Sequence, residues 1–120
     1  PGPDGTYHII KYYNKNYYVI AKGGDTFKSL SKELGISVRK LAKYNERSRK
    51  DRLEAGDIIY LKKKRKKATK NYKDKFHVVK ANESMYTISQ KYGIRLKSLY
   101  DKNNLPPYYQ INVGDKLLVY

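Results

Sequence analysis

The 120-residue chain contains no cysteine and no tryptophan, one methionine and four prolines. Without cysteine there is no disulfide and no thiolate metal site. A small fold built from this chain must hold by packing and hydrogen bonding alone. No apolar run approaches the ~20 residues of a membrane span, and no secretory signal is visible. Catalytic patterns are missing as well. No serine sits in a nucleophile-elbow setting, and neither His8 nor His77 belongs to a cluster with metal-ligand spacing. The expected reading is a non-enzyme with no cofactor and no metal. Acidic residues are few, 11 against 27 Lys+Arg, for a net charge of +16. Half of that excess lies in the 14 residues from Lys62 to Lys75. Tyrosine is plentiful, with 14 copies.

The chain contains a repeat. Gly24-Asp25-Thr26-Phe27 opens a frame that continues through Leu30, Gly35-Ile36, Leu41, Asn45 and Gly56-Asp57. The frame recurs 58 positions later, without a gap, as Ile88, Gly93-Ile94, Leu99, Asn103 and Gly114-Asp115. Only 8 of 45 aligned positions are identical, yet most apolar positions stay apolar. Matched glycines, asparagines and apolar sites at one offset mark a duplicated structural unit. Four segments are expected: an N-terminal linker with an extra strand (1–17), repeat 1 (18–61), a basic linker (62–75) and repeat 2 (76–120).

Pro1-Gly2-Pro3-Asp4-Gly5 reads as a linker or boundary, and the chain as a piece of a longer protein whose C-terminal end is its last repeat. The run from Tyr7 to Tyr13, a polar turn at Asn14-Lys15-Asn16, and the run from Tyr17 to Ala21 read as a β-hairpin. The first of these runs is an extra strand outside the repeat, or the end of an upstream domain. Asp25 or Thr26 can cap a helix that carries Phe27, Leu30 and Leu34 on one face. Gly35 ends it. Ser37 starts a second helix with Val38 and Leu41 inward, closing near Asn45. A charged loop follows, then the Gly56-Asp57 turn and a strand at Ile58–Leu61. Repeat 2 follows the same order, with Met85, Ile88 and Tyr92 on its first helix and a last strand at 116–120. The fold class is α+β: two βααβ units, each with two helices on a two-stranded antiparallel sheet. Like charges as dense as those from Lys62 to Lys67 favour an extended, solvated linker.

These residues resemble the lysin-motif (LysM) family. Repeat 1 carries Val19-Ile20, Gly24-Asp25-Thr26-Phe27, Leu30, Gly35-Ile36-Ser37, Leu41, Asn45 and Gly56-Asp57-Ile58. Repeat 2 departs further, with Asn82-Glu83-Ser84-Met85 for the opening Gly-Asp-Thr-Leu pattern, and both repeats lack a proline before the turn glycine (Ala55, Val113). The resemblance implies binding of N-acetylglucosamine-containing glycan, peptidoglycan or chitin, in a shallow groove between two loops. The implied walls are Gly24, Asp25, Thr26 and Phe27 with Asp51, Arg52, Leu53 and Glu54. In repeat 2 they are Asn82, Glu83, Ser84 and Met85 with Tyr109, Gln110, Ile111 and Asn112. An N-acetyl group offers a methyl for an apolar surface and an amide for the open N–H groups of a helix start.

The resemblance also implies a monomeric targeting module of the cell envelope or a secreted protein, attached to a wall hydrolase such as a glucosaminidase or amidase. Plainer roles stand beside these. Asp25 and Thr26 serve as helix caps, Phe27 and Met85 as core, and Asn45 and Asn103 as ties for the helix end. Tyr108 and Tyr109 stack on a sugar or pack their loop. Anionic envelope polymers or nucleic acid on Lys62 to Lys75 form one rival reading, and a protein-interaction module with degenerate repeats forms another.

Overall fold

Asn14 and Lys15 both take positive φ, 49° and 56°. This two-residue turn matches the twist of the strands it joins, and β1 (Lys11–Tyr13) folds back on β2 (Asn16–Ile20). The computed structural model describes residues 5–120; the expected linker start at Pro1 to Asp4 lies outside them. β3 (Ile58–Tyr60) pairs with the other edge of β2, giving an antiparallel sheet in the order β1-β2-β3. The extra strand is present but shorter than the run from Tyr7 to Tyr13. Pairing stops at Lys11↔Tyr18. Residues 6–9 leave the sheet and border an open cleft of 540 Å³ with Ile20, Ala21 and Lys22. The reason is His8, whose side chain is engaged elsewhere.

Between β2 and β3 lie α1 (Phe27–Leu34) and α2 (Val38–Tyr44). Thr26 caps α1 through a capping box with Ser29, each side chain bonding the other's backbone N–H at 3.0 Å. Gly35 closes it at φ 71°, a conformation that a Cβ would strain. Ser37 caps α2. Val19, Phe27, Leu30, Leu41 and Ile59 have no exposed surface, each contributing about 1.5–3 kcal/mol by burial. Asn45 joins helix to sheet. Its Nδ2 donates to Leu41 O at 2.8 Å and Tyr60 O at 2.9 Å, and its Oδ1 accepts Tyr60 N–H at 2.8 Å.

The second unit repeats this plan without the extra strand. β4 (Phe76–Val78) pairs with β5 (Lys116–Leu118), and α3 (Met85–Tyr92) and α4 (Leu96–Lys102) lie between them in sequence. Ser84 and Thr87 form the capping box, Gly93 closes α3 at φ 65°, and Asn103 reproduces all three bonds of Asn45. The core holds Val79, Met85, Ile88, Tyr92, Ile94, Leu99, Leu117 and Val119.

The stretch 62–75 departs from the expected free linker. The chain divides between Lys64 and Arg65, inside the basic run. Lys64 is 1% exposed, with Nζ 2.5 Å from Glu46 Oε1. Burial pulls its ammonium below the usual lysine range, against the pull of Glu46. Asn16 Nδ2 holds Lys62 O at 2.9 Å. In the second unit Arg65 O accepts Arg95 N–H at 2.9 Å, Ala68 N–H reaches Val119 O at 2.8 Å, and Ala68 is buried in the core. A 3₁₀ turn follows at Lys70–Tyr72. An ion pair, a buried apolar side chain and these hydrogen bonds hold the stretch to the folded units, while the other lysines stay in solvent. Lys62, Lys63, Lys66, Lys67, Lys70, Lys73 and Lys75 are exposed. Within 1–17, residues 11–13 form the extra strand on the first unit's sheet.

Candidate functional site

In each unit the two implied walls leave the same end of the sheet. Ala21 N–H bonds Asp57 O at 2.8 Å, and Gly56 N–H bonds Ala21 O at 2.9 Å. Val79 with Asp115 and Gly114 repeats this at 2.8 Å in both bonds. The return loop is thereby tied to the residue from which the capping loop departs. In unit 1 the walls also meet directly, since Thr26 and Arg52 form an isolated antiparallel bridge.

The capping loop of unit 1 turns on Gly24 at φ 88°. Asn82 occupies the same place in unit 2 at φ 67°, as asparagine tolerates the left-handed region better than most residues. Asp25 is not the helix cap. Its Oδ2 accepts Lys22 N–H at 2.7 Å and lies 2.6 Å from His8 Nε2. Glu83 does the same work in unit 2, accepting Lys80 N–H at 2.7 Å and lying 2.9 Å from His77 Nε2. Burial pushes the Glu83 carboxyl up, but the Lys80 N–H and His77 outweigh it, and the net shift is downward.

The return loop of unit 1 is organised by Arg47. Its guanidinium reaches Asp51 Oδ2 at 3.1 Å, Asp57 Oδ2 at 3.0 Å and Arg52 O at 3.0 Å. Asp57 Oδ2 also accepts Glu54 N–H at 2.9 Å. In unit 2 the place of Arg47 is taken by Leu105, and Tyr109 stands where Asp51 does. The Tyr109 hydroxyl donates to Asp115 Oδ2 at 3.0 Å, and that oxygen accepts Asn112 N–H at 3.0 Å. This bond, together with burial and the charge of Asp115, raises the Tyr109 phenol above its usual range.

The expected site residues are not equally available. Gly24, Thr26, Arg52 and Glu54 are exposed, as are Asn82, Ser84, Gln110 and Asn112. Asp51, Glu83, Tyr109 and Ile111 are half-buried. Phe27 has no exposed surface, and Asp25, Met85 and Leu53 retain 2%, 4% and 6%. These four support the walls from beneath. Tyr108 is 81% exposed.

A match to the LysM domain family runs over residues 18–62 and again over 77–119. The chain belongs to the LysM domain family. LysM units are binding modules of the peptidoglycan-binding kind and carry no catalysis of their own. The chain is also similar to an autolysin of Enterococcus faecalis (strain ATCC 700802 / V583), at 32% identity over 89 residues, covering 70% of this chain and 12% of that protein. Among solved structures it is similar to the spore cortex-lytic enzyme SleL of Bacillus cereus, with 28% identity, a TM-score of 0.38, and coverage of 86% of this chain and 22% of that one. The SleL of Bacillus megaterium QM B1551 gives 20% identity, a TM-score of 0.35, and coverage of 85% and 22%. The chain thus spans a small part of each relative's length. Among the described residues no helix is long and apolar enough to cross a membrane.

Sequence reasoning missed two residues that shape the first LysM unit. His8 lies outside the repeat, so the 58-residue offset gives it no counterpart. Arg47 hides in a charged loop, and its spacing of four from Asp51 was the available signal. Asp57 and Asp115 were visible as part of the repeated turn, but not as the acceptors that fix the return loop.

Proposed function

We propose that this LysM pair holds an attached protein on the cell wall by binding N-acetylglucosamine-containing peptidoglycan, with one groove in each unit between capping loop and return loop. The observation that carries this reading is the pairing of Thr26 with Arg52, which brings the two walls side by side with Gly24, Thr26, Arg52 and Glu54 exposed. A peptide-rich surface at a helix start suits an acetamido group, because the first N–H groups of a helix lack intrahelical acceptors. In unit 2 Ile111 and Tyr109 supply apolar edges for the methyl and the sugar face, while in unit 1 the buried Leu53 supports the wall from beneath. Phe27 and Met85 act from below, not by contact.

Each groove is small, and two on one chain raise the effective concentration at the polymer. Peptidoglycan is favoured over chitin because the relative that matches 70% of this chain is an autolysin from a bacterium. The attached protein is read, on the same ground, as a wall hydrolase, and the place of action as the cell envelope.

A second contact is proposed for the exposed lysines among 62–75. Lys62, Lys63, Lys66, Lys67, Lys70 and Lys73 have no acidic neighbour in sequence except Asp74, which suits anionic wall polymers. Residue-resolved NMR titration with N-acetylglucosamine oligomers and muropeptides tests both contacts. The expected result is shifts at 24–27, 51–54, 82–85 and 109–112 that survive raised salt. Shifts confined to 62–75 that vanish with salt, as counterion release requires, overturn the glycan reading in favour of the polyanion one.

A further inference from the structure

His8 is the one histidine of the first unit, and its side chain is 1% exposed. Its Nε2 lies 2.6 Å from Asp25 Oδ2, its Nδ1 lies 2.8 Å from Glu33 Oε1, and its backbone N–H donates to Glu33 Oε2 at 2.8 Å. Ionised carboxylates only accept, so both ring nitrogens must donate, and the ring that fits is the doubly protonated imidazolium. With both nitrogens so committed the ring has no lone pair for a metal.

Asp25 depends on this contact. Both its partners sit on Oδ2, while Oδ1 is buried and has none. When the one proton of a neutral ring sits on Nδ1, the buried Asp25 carboxylate keeps only the Lys22 N–H and faces a nitrogen lone pair, so the loop carrying it has to move. Asp25 lies between Gly24 and Thr26 in the capping wall.

We propose that His8 is a positioning residue for the glycan groove of unit 1: its imidazolium latches the segment before β1 onto the capping loop at Asp25 and onto α1 at Glu33, and loss of a ring proton, which leaves one N–H for two carboxylates, loosens the wall. This rests on the glycan reading of that groove. The charged groups facing His8 are Asp25 from the loop, Glu33 from α1 and, at the end of β2, Lys22. The Lys22 ammonium bonds Thr6 Oγ1 and Tyr7 O on the segment that carries His8.

Burial alone would lower the His8 pKa, but the bonds to Glu33 and Asp25 and their charges outweigh it, and the net direction is up. Burial pushes the Glu33 carboxyl up, while the His8 N–H and imidazolium bring it down overall. The histidine's contribution is complete below its ordinary value, about 6.5, and is lost as pH rises through the higher folded value. The glutamate's contribution is complete above the ordinary carboxylate range and is lost as pH falls through its lowered value. The latch is closed in mildly acid solution and opens on the alkaline side.

Unit 2 is the internal control. His77 Nδ1 faces the Tyr92 hydroxyl at 2.6 Å and Nε2 faces Glu83 at 2.9 Å. A hydroxyl both donates and accepts, so this arrangement survives with one ring proton or two.

The test is NMR on the full chain between about pH 5 and 9, first without glycan. The amides of 24–27 should move with the His8 ring titration, and His8→Gln should abolish that movement. Glu33→Gln keeps the Asp25 contact and should shift the titration of ring and loop together to lower pH, which a purely structural role for His8 would not produce. With N-acetylglucosamine oligomer added, affinity read at 24–27 and 51–54 should fall about fivefold or more across the range, while that read at 82–85 and 109–112 holds. Amides of 24–27 indifferent to the His8 titration, or His8→Gln binding glycan in unit 1 as well as the parent in mild acid, overturns the proposal. A loop that follows His8 while neither unit takes glycan leaves the latch standing and sinks the glycan reading instead.

Discussion

In unit 1 the return-loop carboxylate Asp57 is held by a guanidinium; in unit 2 its counterpart Asp115 is held by a phenol. The capping-loop carboxylates differ in the same way. Asp25 takes a histidine from ahead of the repeat, and Glu83 takes one from within β4. The backbone bonds around these groups are shared, down to the N–H three residues before each capping-loop acid. What the duplication kept is the carboxylate acceptor and the backbone it fixes. What it released is the identity of the donor. Unit 1 spends more ionised groups on its loops, so pH and salt should disturb it before they disturb unit 2.

The largest test of that parallel lies in the shared core. Phe27→Ala should destabilise unit 1 by about 4 kcal/mol and Met85→Ala should destabilise unit 2 by about 3, as expected for large side chains removed from full burial. Amide exchange resolved by unit reads both, and a loss spread equally over both units from either change would break the comparison. Next comes the helix-to-sheet tie. Asn45→Ala removes three hydrogen bonds at a site with no exposure, and about 3 kcal/mol is expected. Asn103→Ala removes the same three bonds at a half-exposed site, so denaturant unfolding should show a smaller loss.

Smaller again is the return loop. Arg47→Ala should cost unit 1 about 1–2 kcal/mol and Tyr109→Phe should cost unit 2 about 0.5–1, since a charged donor with several partners is exchanged against one neutral bond. Adding salt should shrink the first effect and leave the second. The smallest change is Gly24→Asn, which writes unit 2's residue into unit 1. It should alter stability by less than about 1 kcal/mol, and a thermal melt that drops steeply would mean the two loops are not equivalent.

The repeat was legible because its markers are residues with a backbone duty. Gly35 and Gly93 must take positive φ, and Asn45 and Asn103 must satisfy both a helix end and a strand. Such positions change little while surfaces drift, so eight identities sufficed. The two loops of each unit were legible as segments, because the frame locates them between elements. Their exposure was not, and Phe27 is fully buried where sugar contact was expected. The length of β1 was overread, because Tyr7 to Tyr13 has strand composition while one histidine with two distant carboxylates bends it away. The stretch 62–75 was misread because a run of like charges masks single residues. Ala68 in a core and Lys64 beside Glu46 leave no trace in average composition.

The division between Lys64 and Arg65 bears on how the protein is taken apart. A fragment cut to the repeat, 18–61, would keep every family marker of unit 1 yet strip away the cation that bridges Asp25 and Glu33, the ammonium against Glu46 and the whole outer strand. Weak sugar affinity measured on such a piece would describe the cut. Dissection at the domain's physical edge, with the residues ahead of β1 and the first half of the basic run retained, is what would let each half report its own chemistry.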